Sequence, residues 1–358
     1  ALMPILPKHV YGDGQDIQTH PANLRPIGSG PYRFAEYKPG DFWALERFDR
    51  FFIPGRPALD RIVCRIISDY SVVTLGLERG ELHMTPFLAG VRDIARAERA
   101  PNLTVTPKGY DGIGALTWLA FNTQRPPFDD PRIRMAACHS IDRELILELL
   151  GTAGHASSNF VSPVKFGYIE LENYPAYDPE RAQALLAEAG FPGGEGLPPL
   201  EYITSVGFYP KTVEYGEVIT AMLNEQGFNV SLTVLEPAAW NERLYHRPGG
   251  GPGHMVDCGW STGSPEPDLV LRTHFHSSSH RITGIEDAEI DASLDKERNA
   301  STLEERQAIL QTETMPLLAR KMPALSLFTS VMIHAMRKEL TGLYIYPDGS
   351  IDATGKVA

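Results

Sequence analysis

Residues 23–48 read Asn23-Leu24-Arg25-Pro26-Ile27-Gly28-Ser29-Gly30-Pro31-Tyr32-Arg33-Phe34-Ala35-Glu36-Tyr37-Lys38-Pro39-Gly40-Asp41-Phe42-Trp43-Ala44-Leu45-Glu46-Arg47-Phe48. Tyr32, Phe34 and Tyr37 alternate with Arg33, Glu36 and Lys38, and Pro39-Gly40-Asp41 supplies the reversal. The stretch predicts an aromatic-rich β-hairpin behind a tight Gly-Ser-Gly bend. Gly28-x-Gly30 is a turn rather than a phosphate cradle: Pro31 removes a backbone donor, and no helix follows.

Working outward, β and α patterns interleave. Asp60 to Ile67 reads as a strand, followed by a helix from Tyr70 that Gly80 closes. Glu81 to Met84 reads as a short strand and 91–99 as a helix. Leu103 to Thr106 and Ala115 to Phe121 are strand-like runs separated by Gly109, Gly112 and Gly114. Asp130, Asp142 and Asp178 each stand as the N-cap of a helix, with Pro131 and Pro179 at the first helical position. Leu200 to Thr204, 212–226, Phe228 to Val234 and Met255 to Trp260 continue the alternation. Acidic helices at 286–298 and 301–320 precede strands at Ala324 to Phe328 and Leu343 to Tyr346. This order is that of an α/β protein, and 358 residues are more than one core usually serves.

Lys and Arg total 33 against 45 Asp and Glu, a formal charge of −12. That balance argues against a nucleic-acid partner, since phosphates require basic patches. No apolar run approaches the roughly 18–20 residues of a membrane helix. Cys64, Cys138 and Cys258 lack metal-ligand or redox spacing and read as buried thiols, with one disulfide possible in an oxidising compartment. His274, His276 and His280 have no zincin arrangement and read as loop histidines. No Gly-x-Ser-x-Gly elbow is present, although a Ser-His-Asp triad converges only in space, which leaves a hydrolase as an alternative class.

Several stretches carry a resemblance to one family. They are the hairpin segment itself, Leu77-Glu78-Arg79-Gly80-Glu81-Leu82, and Asp130-Pro131-Arg132-Ile133-Arg134 through Ile141-Asp142-Arg143. Tyr177-Asp178-Pro179 through Ala189-Gly190-Phe191, Phe121-Asn122-Thr123 and Gly259-Trp260 complete the set. In order along the chain, they resemble the peptide-class solute-binding proteins of bacterial ABC importers, family 5, whose members include dipeptide, oligopeptide and nickel binders. The resemblance implies a two-lobed periplasmic-binding-protein fold of the α/β class with crossing strands between the lobes. Residues 1–108 would be the remainder of lobe I with its N-terminal part missing, 109–323 lobe II, and 324–358 the return to lobe I. It further implies a monomer outside the cytoplasm that hands a peptide or similar solute to permease subunits, with no cofactor, no resident metal and no catalysis.

For the site, the resemblance points to the loop after Trp260: Ser261, Thr262, Gly263, Glu266 and Asp268. Trp118, Asn122 and Tyr209 are the further candidates, with packing as the competing role for Trp118. In dipeptide and oligopeptide binders an Asp about three residues past the aromatic pairs with the ligand's α-amino group. Gly263 occupies that place here. A buried ammonium lacking that partner forgoes about 1.5–3 kcal/mol, unless Glu266 or Asp268 substitutes. Opines, sugars and nickel chelates therefore compete with peptides as ligands.

Overall fold

The computed structural model describes residues 6–67, 69–88, 90–108, 114, 116–151, 154–206, 211–245, 251, 253–260, 266–279, 282–330, 333–347 and 349–355. The first segment contributes α1 (Lys8–Tyr11) and the meander β1 (Tyr32–Lys38), β2 (Phe42–Arg47) and β3 (Arg61–Arg65). The expected hairpin is present: Tyr32 faces Arg47 and Tyr37 faces Trp43, with an irregularity between Phe34 and Glu36. Gly40 takes a φ of 74° at the reversal, where a Cβ would be strained.

Next come α2 (Tyr70–Arg79), β4 (Met84–Leu88), α3 (Val91–Arg99) and β5 (Leu103–Thr106). Asp69 caps α2 by accepting the Ser71 N–H, and Gly80 ends it in the left-handed region. The larger part then runs β6 (Leu116–Phe121), α4 (Pro131–His139), α5 (Arg143–Leu150), β7 (Gly154–Ala156), α6 (Pro179–Glu188), β8 (Leu200–Ser205), α7 (Thr212–Glu225) and β9 (Val230–Leu235). It continues through α8 (Pro237–Leu244), β10 (Met255–Trp260), α9 (Asp268–Phe275), α10 (Ala288–Arg298), α11 (Leu303–Ile309), α12 (Met315–Lys321) and β11 (Ala324–Ser330). The chain closes with β12 (Ile333–Arg337), β13 (Tyr344–Ile345) and β14 (Ile351–Asp352). A π-helical turn at Leu310–Thr314 joins α11 to α12, so the expected long acidic helix is continuous. It loosens just before Pro316, which has no N–H to give the ladder.

Two cores are separate. One gathers side chains from Leu116 to Phe328 around a six-stranded sheet of order β7-β11-β6-β10-β8-β9. The other unites Val73, Leu77, Leu88, Ile94, Ala97, Leu103, Ile333 and Ala335 around the sheet β4-β12-β5. The chain passes from the small core to the large one between β5 and β6, and back between β11 and β12. Ala324–Ser330, expected in the return to lobe I, pairs with β6 and β7 inside the larger sheet, and Ile333–Arg337 pairs with β4 and β5 in the smaller one. The central strand β12 has no counterpart in the sequence reading, because its short run is interrupted by His334, which the fold buries.

Two arginines of the sequence motifs hold this architecture. Arg134, 4% exposed, donates to the carbonyls of Phe128 (2.6 Å), Asp129 (3.1 Å), Lys321 (2.6 Å) and Met322 (2.9 Å), tying α4 to the end of α12. Arg143 donates to the carbonyls of Ser157, Ser326 (3.1 Å) and Pro175 (2.9 Å) and lies over the Tyr174 ring. Several of these acceptors, those of Phe128, Met322, Ser157, Pro175 and Ser326, belong to buried residues, whose backbone groups need a partner inside the fold.

Candidate functional site

Register fixes where the site can be. β8, β9 and β10 run parallel, whereas β6 runs antiparallel to β10 and β11. Trp260 at the end of β10 pairs with Leu116 at the start of β6, and Thr329 near the end of β11 pairs with the same residue. The carboxyl ends of β8, β10 and β11 therefore share one edge with both passages to the small core. Ligands of open α/β sheets settle at that kind of edge, beyond the carboxyl ends of the strands. The two cores also touch there: the Val91 N–H at the start of α3 donates to the Gly151 carbonyl after α5, at 3.0 Å.

Gly114 enters this edge at a φ of +52°, and a Cβ on it would lie 1.9 Å from the Ser162 hydroxyl. Substitution here requires both strain and displacement of the 162–165 segment. Within that segment Lys165 is 6% exposed, and burial pulls its pKa down to about 8.

The candidate residues separate into groups. Trp260 closes β10 at the shared edge. Ser261, Thr262, Gly263 and Tyr209 lie outside the described residues. Trp118 instead sits mid-strand and is 1% exposed, its ring 5.2 Å from that of Phe275 and 5.5 Å from that of His274. It is a core residue. Both faces of β6 are covered, so strand alternation offers no face for a ligand. Asn122 follows Phe121, which pairs with Met255 at the start of β10, so it belongs to the opposite end of the sheet. That is about 20 Å along the strand direction from Leu116. Its side-chain amide donates to the Gly253 carbonyl at 3.0 Å, and the position is structural.

Glu266 and Asp268 are engaged by arginines. Arg306 of α11 forms a fork on Glu266, with Nη1 2.7 Å from Oε2 and Nη2 on Oε1. The Asp268 N–H donates to the same Oε1 at 2.9 Å. The Arg306 fork holds the Glu266 carboxyl below its ordinary range. Arg306 also donates through Nε to Glu297 at 2.7 Å; Glu297 is fully buried, and burial pushes its pKa up. Asp268 accepts from Arg272 at 3.1 Å, and Arg272 reaches Asp295 at 2.9 Å. Sequence reading does not single out Arg306. It stands 40 positions from Glu266 inside an acidic helix, and no local spacing links the two.

The histidines are not a solvated trio. His274 lies buried on α9, His276 approaches Asp291 (3.8 Å) and Asp295 (3.4 Å), and His280 lies outside the described residues. Among the described residues no group of three His, Cys, Asp or Glu could hold a metal, and Cys64, Cys138 and Cys258 are not joined in disulfides. No helix among them is long and apolar enough to cross a membrane.

Below the edge, Asp257 on β10 is 1% exposed and accepts the Tyr215 hydroxyl, with Tyr202 and Thr204 beside it. Burial pushes its pKa up to about 7. Between about pH 4 and 7 the folded chain keeps a proton there that the unfolded chain releases, so this contribution to stability fades as pH rises through that window. His254 acts oppositely. Burial lowers its pKa to about 4, so its contribution is lost as pH falls from about 6.5 to 4. Asp257→Asn removes the first effect alone. The variant is expected to gain on the wild type by several kcal/mol between about pH 4.5 and 7.5, since each tenfold difference in proton affinity is worth about 1.4 kcal/mol. Urea melts across that range test this, and a difference independent of pH would contradict it.

Three comparisons place this geometry. The E. coli (strain K12) dipeptide-binding protein is 25% identical over 337 residues, covering 91% of this chain and 60% of the relative. The oligopeptide-binding protein AppA from Bacillus subtilis, solved with a nonapeptide, superposes with a TM-score of 0.80 at 26% identity, over 96% of this chain and 70% of that one. A binding protein from A.tumefacien R10 in complex with mannopinic acid gives a TM-score of 0.79 at 23% identity, over 97% of this chain and 68% of that one. The chain spans about 60% of the length of the dipeptide-binding relative. These neighbours are two-lobed periplasmic binding proteins, and this chain shares their fold. The model for the middle region of the bacterial extracellular solute-binding proteins, family 5, matches residues 1–281, and the chain belongs to that family.

Proposed function

We propose that this chain is the capturing component of an ABC importer: it holds a small solute between its two bodies outside the cytoplasm and delivers it to permease subunits. One observation carries the reading. Trp260 at the end of β10, Leu116 at the start of β6 and Thr329 near the end of β11 meet at a single edge of the large sheet. A solute touching both bodies there gains contacts only when they are together, and so shifts the equilibrium toward the closed form. Binding of that kind requires no bond-making, and the chain acts as a binder rather than an enzyme. Trp260, Ser261, Thr262, Gly263 and Tyr209 are the proposed wall residues.

The ligand class is a peptide or a solute of similar size. The engagement of Glu266 and Asp268 by Arg306 and Arg272 favours solutes that need no carboxylate from this loop, opine-like molecules among them. A thermal-shift panel of di- and tripeptides, mannopinic acid, oligosaccharides and nickel–histidine tests the proposal on the purified chain. One class is expected to raise the melting temperature in a concentration-dependent way, by mass action. No shift from any class at millimolar concentration would overturn it, as would turnover of the bound compound.

A further inference from the structure

We infer that Arg306 is the positioning residue of Glu266: its fork on that carboxylate fixes the entry to α9 and withdraws the group from solute recognition. The inference deepens the solute-binding reading and rests on it for there being a solute to recognise, although the fork itself is independent of any ligand.

The chain leaves β10 at Trp260 and re-enters the described structure at Glu266, two residues before α9 begins. Between them stand Ser261, Thr262, Gly263, Ser264 and Pro265, none of which ionises. Glu266 is therefore the first carboxylate after Trp260, and both of its oxygens are taken by one guanidinium. A planar fork on a carboxylate restricts orientation as well as distance, which a single ammonium would not do.

The guanidinium is fixed in turn from other elements. Its Nε donates to Glu297 on α10, and the group lies 5.7 Å from the centre of the Phe166 ring. Phe166 belongs to the stretch that begins at Ser162, beside Gly114 at the passage between the bodies. Arg306 thus connects the entry to α9, the helix pair α10–α11 and the passage segment. Freeing Glu266 for an incoming ammonium would break the fork and leave Arg306 with the buried Glu297 as its remaining carboxylate, an exchange that returns little.

Hydrogen exchange of the 266–272 amides and binding affinity test the inference on the full chain. Arg306→Gln and Glu266→Gln are each expected to speed exchange of those amides at least tenfold, and the double variant no further, since one contact is lost in all three. Arg306→Lys should recover only part of the protection, because a point charge does not reproduce the fork. Arg272→Gln, which removes a neighbouring pair but leaves Glu266 untouched, serves as the control and should leave the Asp268 amide slow. Uniform acceleration across the larger body, or none at 266–272, would overturn the positioning role.

Triglycine is the binding probe. Glu266→Gln should hold its affinity within threefold of the wild type, whereas a tenfold loss would make Glu266 a ligand contact and overturn the inference. Should the wild type fail to bind triglycine or any panel compound, the solute-binding reading falls, and the exchange result still decides the fork.

Discussion

Trp118→Ala is expected to destabilise the chain by about 3–5 kcal/mol, the range for deleting a fully buried large aromatic. The ring is 1% exposed and packs against Phe275, which also meets Phe160 edge-on at 5.6 Å. Trp118 faces Cys258 on β10 and Ser326 on β11, so the residue lies at the centre of the large sheet. Surrounding strands are hydrogen-bonded on both sides and leave little room for the cavity to collapse. Trp118→Phe, which keeps most of the volume, should cost substantially less. Denaturant melts read both variants. A loss below about 1 kcal/mol together with weakened solute binding would return Trp118 to the site and contradict its assignment to the core.

Arg134→Met comes next in size. Its side chain fills a comparable space but strips donors from four carbonyls, those of Phe128, Asp129, Lys321 and Met322. Each buried acceptor left without a partner costs about 1–3 kcal/mol, so a total of at least about 3 kcal/mol is expected. Burial lowers the pKa of Arg134 to about 10, and the residue remains charged near neutrality. Arg134→Lys should rescue little, since three donors on a point charge cannot reach acceptors spread around a planar group. A calorimetric scan showing either variant within about 0.5 kcal/mol of the wild type, the usual range of surface changes, would contradict this account.

The parts of the fold legible in sequence are those set by local chemistry. Asp130, Asp142 and Asp178 do cap their helices, each accepting a nearby backbone N–H. Gly80 and Gly151 do end theirs in the left-handed region, and the hairpin register follows the alternation of Tyr32 and its neighbours. Long-range pairing is not legible. Ala324–Ser330 reads equally well as a strand of either sheet, and only its partners β6 and β7 assign it to the larger one. His334 disguises β12, whose partners lie more than 200 residues away.

The same division applies to the site. Trp260 is legible as a strand-end aromatic, because strand direction and the Gly-Trp pair are local features. Asn122 departs from expectation because a sequence gives a strand's extent but not which of its ends faces the second body. The engagement of Glu266 and Asp268 depends on Arg306 and Arg272, one from a distant helix and one a turn along α9. No motif at the loop itself reports that its carboxylates are already neutralised.

The central claim is that a solute is held at the sheet edge where Trp260 lies. Isothermal titration of the compound giving the largest thermal shift, into the wild type and into Trp260→Ala, tests it most directly. The account predicts one solute per chain, an affinity at least tenfold weaker in the variant, and nearly equal melting temperatures for the two chains without solute. Equal affinities for wild type and variant would contradict it.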